Sequence, residues 1–353
     1  MALLFESLTI KDVTFRNRIG ISPMCTYIAQ DGHATDWHLV HLGSRALGGA
    51  GLLIQEATAV SPEGRISPGD LGIYADSQVP MLQRINAFLL ENGAVPAIQL
   101  AHAGRKASCA EAWRGGQLLS LDQGGWLTVA PSAVPFNAGE RAPEALDQQG
   151  IDKVLADFAS AARRSLAAGF RVIEIHAAHG YLIHQFFSPL SNLRTDSYGG
   201  SFENRIRFML QVVEAIQSEW PANLPLFVRL SASEWADGGW NIDEVVQLCT
   251  ILKTRGVDLI DTSAGGGVPN PKINIFPGYQ VPFAERIRRE CGLATAAVGL
   301  ITKAQQAEDI LQSGSADLIL IARESLRDPN FPIHAAIELG VKPDLPAPYL
   351  RAF

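Results

Sequence analysis

The strongest constraint on the fold is a repeat of short apolar runs separated by longer amphipathic segments. The runs are rich in β-branched residues, and their lengths suit strands that are buried on both faces. Eight such runs occupy residues 19–23, 52–57, 95–101, 172–176, 226–230, 259–263, 295–299 and 318–322. The chain therefore predicts eight buried, parallel strands.

The segments between these runs have helical periodicity. Residues 152–168 carry apolar side chains every three to four positions, and Gly169 follows them as a helix stop signal. Strands that alternate with helices predict a parallel sheet with crossover helices, and eight such units predict one TIM (β/α)8 barrel domain over residues 1–353. Similar helical patterns cover residues 201–219, 243–255, 303–313 and 325–339.

Two features refine this fold prediction. An open, doubly wound sheet is the alternative, but it normally carries a glycine-rich fingerprint in its first turn, where this chain has Ser-Pro-Met-Cys. Residues 104–150 contain Trp, Gly and Pro with little periodicity. This segment predicts an extended loop after the third strand.

Composition excludes several classes of function. The chain has 29 Lys and Arg against 36 Asp and Glu, a net charge of −7, which argues against nucleic-acid binding. We find no apolar run of membrane-spanning length and no signal-peptide pattern. We therefore expect a cytoplasmic protein with reduced cysteines, because no CxxC pair or disulfide spacing joins Cys25, Cys109, Cys249 and Cys291.

Polar residues recur where the predicted strands end. In a TIM barrel these ends form the mouth in which the chemistry takes place. Polar groups buried there are costly unless a partner satisfies them, so they predict a large polar ligand. The strand-end residues are Cys25, Tyr27, Glu56, Gln99, Glu174, His176, Arg229, Asp261, Ser263 and Arg323.

His176 and His179 allow three interpretations. They could bind a metal, clamp a developing oxyanion, or divide into one catalytic and one structural histidine, and the residues alone favour the last. A zinc site needs a third nearby ligand. We expect Glu174, the nearest carboxylate in the sequence, to face away from the pair.

Other strand-end residues suggest an anionic ligand. Arg229 in an apolar strand either pairs with an internal carboxylate or binds an electron-rich ring. The Gln99 amide can donate and accept, which suits an imide edge. Gly299, Ala322 and Arg323 follow strands seven and eight, a common phosphate site in TIM barrels.

Several longer motifs are similar to those of one family. They are VTFRNRI at 13–19, SPMC at 22–25, QLAHAGR at 99–105, HAAHGYL at 176–182, QFFSP at 185–189 and RTDSYGGSFENR at 194–205. Together they resemble the old yellow enzyme family of FMN-dependent ene-reductases. Cys25 resembles the flavin-loop cysteine of its thermophilic-like branch, whereas Ala322 stands where a glycine is frequent.

The resemblance implies tightly but non-covalently bound FMN, with NADPH or NADH as the reductant. It implies that Gln99 meets the pyrimidine edge and Arg229 the N1–O2 edge of the ring, while the Cys25 thiol tunes the reduction potential. The remaining cofactor contacts that it implies are the backbone of Ser22, Pro23, Met24 and Ala57 beside the ring, and Gly299, Ala322 and Arg323 at the phosphate.

The same resemblance implies an ene-reductase reaction on an α,β-unsaturated aldehyde, ketone, imide or nitroalkene. His176 and His179 then clamp the substrate oxygen, flavin N5 delivers hydride to Cβ, and Tyr181 protonates Cα. Tyr27 is expected to contact the substrate as well. The alternative is a metal-dependent TIM-barrel hydrolase or lyase that uses His176 and His179.

The C-terminal tail, about residues 341–353, resembles the ending of the same branch. There an arginine enters the active site of a neighbouring subunit, and Arg351 is the candidate here, with Tyr349 and Phe353 as further wall residues. This implies a homodimer or homotetramer.

Overall fold

Parallel strands and helices alternate through the whole computed structural model, which describes residues 2–352. Within these residues eight strands close into a barrel, in chain order, with every neighbouring pair parallel. The strands are β1 Ile19–Ile21, β2 Leu52–Ala59, β3 Val95–Ala101, β4 Val172–Ala177, β5 Leu226–Ser231, β6 Leu259–Ser263, β7 Ala294–Ala297 and β8 Leu318–Ile321. The predicted TIM barrel is confirmed, and each apolar run is one of its strands.

The barrel closes by pairing the last strand with the first. Ile319 lies opposite Ile19 in register, so β8 and β1 are neighbours although some 300 residues separate them. An antiparallel hairpin of Leu8–Ile10 and Val13–Phe15 precedes β1. The ring centre of the fully buried Phe15 lies 6.4 Å from that of Phe227 near the start of β5. The hairpin therefore covers the amino-terminal end of the barrel. The opposite end remains available as the mouth.

Helices surround the strands. Polar caps start several of them: the side chains of Asp147, Ser201 and Asn241 each accept a hydrogen bond from a backbone N–H of the first turn. The helices are α1 Asp36–Leu47, α2 Val79–Glu91, α3 Gln148–Ala167, α4 Phe202–Gln217, α5 Ile242–Thr254, α6 Val281–Cys291, α7 Ala304–Gln312 and α8 Phe331–Glu338. Short additional helices cover Leu182–Phe187 and Arg323–Arg327.

The prediction of a single helix over residues 325–339 is wrong. The structure has two helices, Arg323–Arg327 and α8, separated at Asp328 to Asn330. Pro329 lacks an N–H donor and disfavours the helical conformation of the residue before it. Asp328 is accordingly extended, with φ −133° and ψ 93°.

The predicted loop after β3 is confirmed in extent, although α3 begins at Gln148. It contains short 3-10 turns and one two-stranded pairing of Val129–Ala130 with Glu144–Ala145. The 3-10 turns of the chain are Leu3–Phe5, Pro62–Gly64, Asp76–Gln78, Gly104–Lys106, Ala112–Arg114, Leu121–Gln123 and Ala347–Ala352. Among the described residues we find no helix that is both long and apolar enough to span a membrane.

The distinctive segment 194–205 connects β4 to α4 and supports the mouth from behind. Arg205, which is 6% exposed, donates to the carbonyls of Gly200 and Phe187 and pairs with Glu244. Phe187 ends the short helix that follows the histidine pair. Arg205 therefore connects three segments of the chain around the site.

Replacing Arg205 with Ala should lower the free energy of unfolding by about 3 kcal/mol, because buried carbonyl and carboxylate acceptors lose a charged donor. Urea denaturation monitored by circular dichroism measures the change. Arg207→Ala is the matched control on the exposed face of α4, with an expected change of about 0.5 kcal/mol or less. Equal losses in both variants would contradict the role of Arg205.

Candidate active site

The predicted site residues gather at the carboxyl ends of the strands. The segment from Ser22 to Tyr27 follows β1, and the Ser22 N–H donates to the Ile321 carbonyl at 3.0 Å, which ties it to the end of β8. Ala57 of β2 lies beside Gln99 of β3 in register. Barrel closure therefore assembles residues from distant parts of the chain around one mouth.

The floor of the mouth is an inward-facing polar layer. Gln99 Nε2 donates to Glu174 Oε1 at 2.7 Å, and Arg229 Nε lies 3.0 Å from Asp261 Oδ2 in a buried ion pair. One interpretation of Arg229 was an ion pair with a carboxylate inside the barrel, and Asp261 is that carboxylate. The expectation that Glu174 faces away from His176 is wrong, because residues two apart on a strand share a face.

His176 and His179 approach each other edge to face. Their ring planes are perpendicular, and His176 Nε2 lies 3.3 Å from His179 Nδ1. The other ring nitrogens have their own neighbours: the Ala178 N–H donates to His176 Nδ1 at 3.4 Å, and His179 Nε2 lies 2.7 Å from Ser263 Oγ. Both rings are therefore held, and their facing nitrogens form a hydrogen bond in which one ring donates and the other accepts.

Electrostatics keep both imidazoles neutral. Burial, followed by the positive charge of Arg229, lowers the pKa of His176 and of His179 well below its usual value. His179 has φ 57°, in the left-handed region, and its N–H donates to Ser231 Oγ at 2.9 Å. This turn directs the second imidazole back toward the first.

Tyr181 lies against the histidine pair, with its ring centre 4.9 Å from that of His176. Burial raises the pKa of the phenol well above its usual value, so it carries its proton at neutral pH. Lys106, which the sequence analysis did not single out, lies with its ammonium 5.2 Å from the Tyr181 ring centre. It also donates to the carbonyls of His179 and Gly266 at 2.8 and 3.0 Å.

Cys25 and Tyr27 lie together on the other side of the mouth. Burial, with the charges of Asp70 and Glu56, raises the pKa of the Cys25 thiol well above its usual value. The sulfur is therefore a neutral thiol, not an activated nucleophile. Its hydrogen-bonding neighbours are the Ala57 backbone and the Tyr27 side chain.

Glu56 was named as a strand-end residue without a role, and the structure gives it one. The register of β2 on β3 shifts at this residue, a β-bulge that re-aims its side chain. Both carboxylate oxygens accept from Thr26, one from its N–H and one from its hydroxyl at 2.7 Å. His38 Nε2 lies 3.2 Å away. Glu56 thus anchors the segment that carries Cys25 and Tyr27.

A second cleft extends from the mouth between the ends of β6, β7 and β8. It has a cavity volume of about 280 Å³, and its wall includes His179, Arg229, Gly299, Ala322 and Arg323. Glu324 pairs with Arg327, and Asp328 pairs with His334, so Arg323 has no ion-pair partner within residues 2–352. Arg323 is thus an uncompensated cation in the wall of the cleft.

The backbone conformation at position 299 requires a glycine. Its φ is 122°, and a Cβ there would lie 2.9 Å from Gln280 Nε2. The Ala322 side chain, where the family often has glycine, lies partly exposed in the cleft wall and leaves its backbone intact. Alanine in place of glycine at position 322 therefore leaves the cleft open.

The tail residues are not brought to the mouth of their own barrel. Asp344 pairs with Arg16, which precedes β1 and lies at the amino-terminal end. Arg351 and Tyr349 are exposed in the 3-10 turn that follows, and Phe353 lies outside the described residues. Entry of Arg351 into a neighbouring subunit stays a prediction.

The geometry does not favour a metal at the histidine pair. Across residues 2–352, no group of three or more His, Cys, Asp or Glu side chains is placed to hold a metal ion. Arg229 and Lys106 also add positive charge beside both imidazoles. A divalent cation would meet repulsion here.

The residues present fit an anionic flavin. Gln99 and the peptide groups near Ala57 can meet a hydrogen-bonding ring edge, and the cationic cleft can hold a phosphate. A partly apolar pocket also adjoins the loop after β1, where Met24 and Cys25 line it together with side chains of α1.

Comparison with known proteins agrees with this fit. The family model described as "NADH:flavin oxidoreductase / NADH oxidase family" matches residues 3–340. An NADPH dehydrogenase of Geobacillus thermodenitrificans is 47% identical over 353 residues, covering 99% of this chain and 98% of that protein.

Solved structures show the same architecture. Morphinone reductase in complex with tetrahydroNAD superposes with a TM-score of 0.79 at 27% identity, covering 98% of this chain and 93% of that one. The old yellow enzyme homologue from Zymomonas mobilis gives a TM-score of 0.78 at 26% identity, with 97% and 94% covered.

Barrel, mouth and comparisons together define an FMN-dependent oxidoreductase that takes its electrons from NAD(P)H. The chain belongs to the NADH:flavin oxidoreductase / NADH oxidase family, which includes the old yellow enzymes.

The buried side chain of His102 predicts how the free energy of unfolding depends on pH. His102 follows β3, is 2% exposed, and accepts the Gly104 N–H at Nδ1, 3.0 Å away. Burial lowers its pKa to about 4, against about 6.5 in an unfolded chain. Between these two pKa values His102 binds a proton in the unfolded state but not in the folded state. The free energy of unfolding is therefore highest above about pH 6.5 and declines as the pH falls toward 4.

We expect His102→Asn to reduce the loss of unfolding free energy between pH 7 and pH 4 by about 3 kcal/mol. Urea titrations of both proteins across this range provide the comparison. An unaltered pH slope in the variant would show that His102 titrates normally.

Proposed function

We propose that this oxidoreductase is an ene-reductase that transfers electrons from NAD(P)H to activated alkenes. The observation that carries the proposal is the convergence of His176 Nε2 and His179 Nδ1, 3.3 Å apart, beside the Tyr181 ring. A substrate oxygen that replaces the contact between these two nitrogens can accept from both rings, and an adjacent phenol suits delivery of a proton.

The histidine pair would bind the carbonyl or nitro oxygen of the substrate. Neutral imidazoles donate one N–H each, and the Ala178 N–H on His176 Nδ1 leaves the His176 proton on Nε2. Ser263 donates its hydroxyl proton to Gln280 Oε1 at 3.3 Å in the substrate-free protein. When the substrate oxygen enters, this hydroxyl would turn to donate to His179 Nε2, which leaves the His179 proton on Nδ1. Two such donors stabilise negative charge as it develops on the oxygen.

Tyr181 would protonate the α-carbon of the alkene. Its raised pKa keeps the phenol protonated until the carbon becomes basic. The Lys106 ammonium beside the ring then stabilises the phenolate that remains. Burial lowers the pKa of Lys106 to about 8, which still leaves it mainly charged at neutral pH.

The chain would hold FMN by residues at both ends of the mouth. Arg323, with the backbone near Gly299 and Ala322, would bind the phosphate, while Gln99 and Arg229 would bind the ring edge. When bound, FMN supplies hydride transfer between NAD(P)H and the acceptor. The remaining predicted contacts are the backbone of Ser22, Pro23, Met24 and Ala57 and the thiol of Cys25 beside the ring, and Tyr27 beside the substrate.

The first test is the visible spectrum of the purified protein, recorded anaerobically during addition of NADPH and then of cyclohexenone. Loss of the flavin absorption with NADPH and its return with the enone would establish the reaction. A protein that is reduced by NADPH but not reoxidised by enones or nitroalkenes would keep the flavin chemistry and refute the ene-reductase proposal.

Tyr181→Phe should leave flavin reduction by NADPH within about twofold of the unmodified protein. Reoxidation by cyclohexenone should slow by about 10²–10⁴-fold, the usual contribution of a positioned general acid. Anaerobic stopped-flow measurements separate the two half-reactions. Tyr198→Phe is the matched control, since Tyr198 is buried outside the mouth against Phe186. Equal damage to both half-reactions by Tyr181→Phe would rule out the proton-donor role.

A further inference from the structure

Two buried carboxyl groups lie in the barrel interior, and the mechanism above makes no use of them. Glu174 of β4 and Asp261 of β6 are both 0% exposed. Each contacts a side chain expected to bind the FMN ring: Glu174 contacts Gln99, and Asp261 contacts Arg229. The pair therefore lies one layer behind the ring edge.

The hydrogen bonds of this layer are incomplete if both carboxyls are ionised. Glu174 Oε1 accepts from Gln99 Nε2, but Glu174 Oε2 and both Asp261 oxygens are buried without a well-aligned hydrogen bond from residues 2–352, although the Arg229 guanidinium lies 3.0 Å from Asp261 Oδ2. Two adjacent carboxylates supply only acceptors, and unsatisfied buried charge is costly. One proton on Glu174 provides the missing donor, directed at Asp261.

The charges around the pair indicate which carboxyl holds that proton. Burial, followed by the negative charge of Asp261, raises the pKa of Glu174 well above its usual value. For Asp261, burial also raises the pKa, but the positive charge of Arg229 opposes this effect. The charged group that faces the pair from β5 is Arg229, while His176, on the same face of β4, is neutral. Asp261 is thus the carboxylate and Glu174 the acid.

We propose that Glu174 and Asp261 share one proton, carried by Glu174, and that this pair positions Gln99 and Arg229 for the FMN ring. Neutral Glu174 takes one N–H of Gln99 and leaves the other N–H and the carbonyl oxygen for the ring edge. Ionised Asp261 pairs with Arg229 and cancels its charge, so the four-residue layer is neutral overall. Glu174 and Asp261 are positioning residues, and the proposal rests on the proposed placement of FMN.

The decisive comparison is between Glu174→Gln and the double variant Glu174→Gln/Asp261→Asn. Glutamine reproduces a neutral acid that accepts from Gln99 and donates to Asp261, so the ratio of affinities for reduced and oxidised FMN should change less than twofold. The double variant leaves Arg229 uncompensated beside the ring and should raise that ratio at least about tenfold, a midpoint potential about 30 mV higher. Anaerobic redox titration against reference dyes measures the potential.

Glu308→Gln is the matched control. Glu308 is a buried carboxylate, 6% exposed, that accepts the N–H groups of Leu3 and Leu4 far from the mouth. Its replacement should leave the potential unchanged. If Glu174→Gln raises the potential as much as the double variant does, Glu174 is ionised and the proposal is wrong.

A second measurement requires no bound FMN. Infrared spectra at pH 9 should show the carbonyl band of a protonated carboxylic acid, and Glu174→Gln should remove it. At this pH Asp70, whose pKa burial raises to about 7, is ionised and does not contribute. Absence of the band from the unmodified protein overturns the proposal even if no variant folds. A protein that shows the band but binds no FMN would refute the proposed function and retain the shared proton.

Discussion

Closure of the barrel is the constraint on which the rest of the structure depends. Pairing of β8 with β1 brings the segment after Ile21 beside the end of β8, where the Ser22 N–H meets the Ile321 carbonyl. Parallel strands that close on themselves must end on one rim, so polar residues from every part of the chain share one mouth. Neither Cys25 nor Arg323 would lie near the histidine pair in an open sheet.

Burial then decides the charge state of each group at that mouth. Desolvation favours the neutral forms of His176, His179, Tyr181 and Cys25, because each would otherwise carry a charge in a poorly solvated cavity. The result is a set of neutral hydrogen-bond donors. Arg229 keeps its positive charge beside Asp261, and Lys106 keeps its charge beside the Tyr181 ring.

Much of the fold was predictable from local pattern. Short apolar runs marked every barrel strand, because a strand buried on both faces needs apolar side chains on both. The error at 325–339 arose because apolar periodicity continued across Asp328 and Pro329, and the conformational restriction of proline outweighed it. The motif 194–205 indicated a structural role, but its partners, Phe187 and Glu244, could be identified only in three dimensions.

The residue types of the site could be predicted from the sequence, but the contacts between its side chains could be predicted less well. Arg229, Gln99 and the histidine pair stood out because polar groups at buried strand ends are rare. Lys106 did not, since a lysine in a loop resembles an ordinary surface residue, and the anchoring role of Glu56 depends on a β-bulge and on its contacts with Thr26, which no local pattern shows. The sequence by itself determined a parallel eight-stranded barrel with a polar mouth, because strand periodicity and strand-end chemistry are local properties. Only the tertiary structure decided that Glu174 faces Gln99 and Asp261, because those contacts depend on the register between strands, which no local pattern specifies.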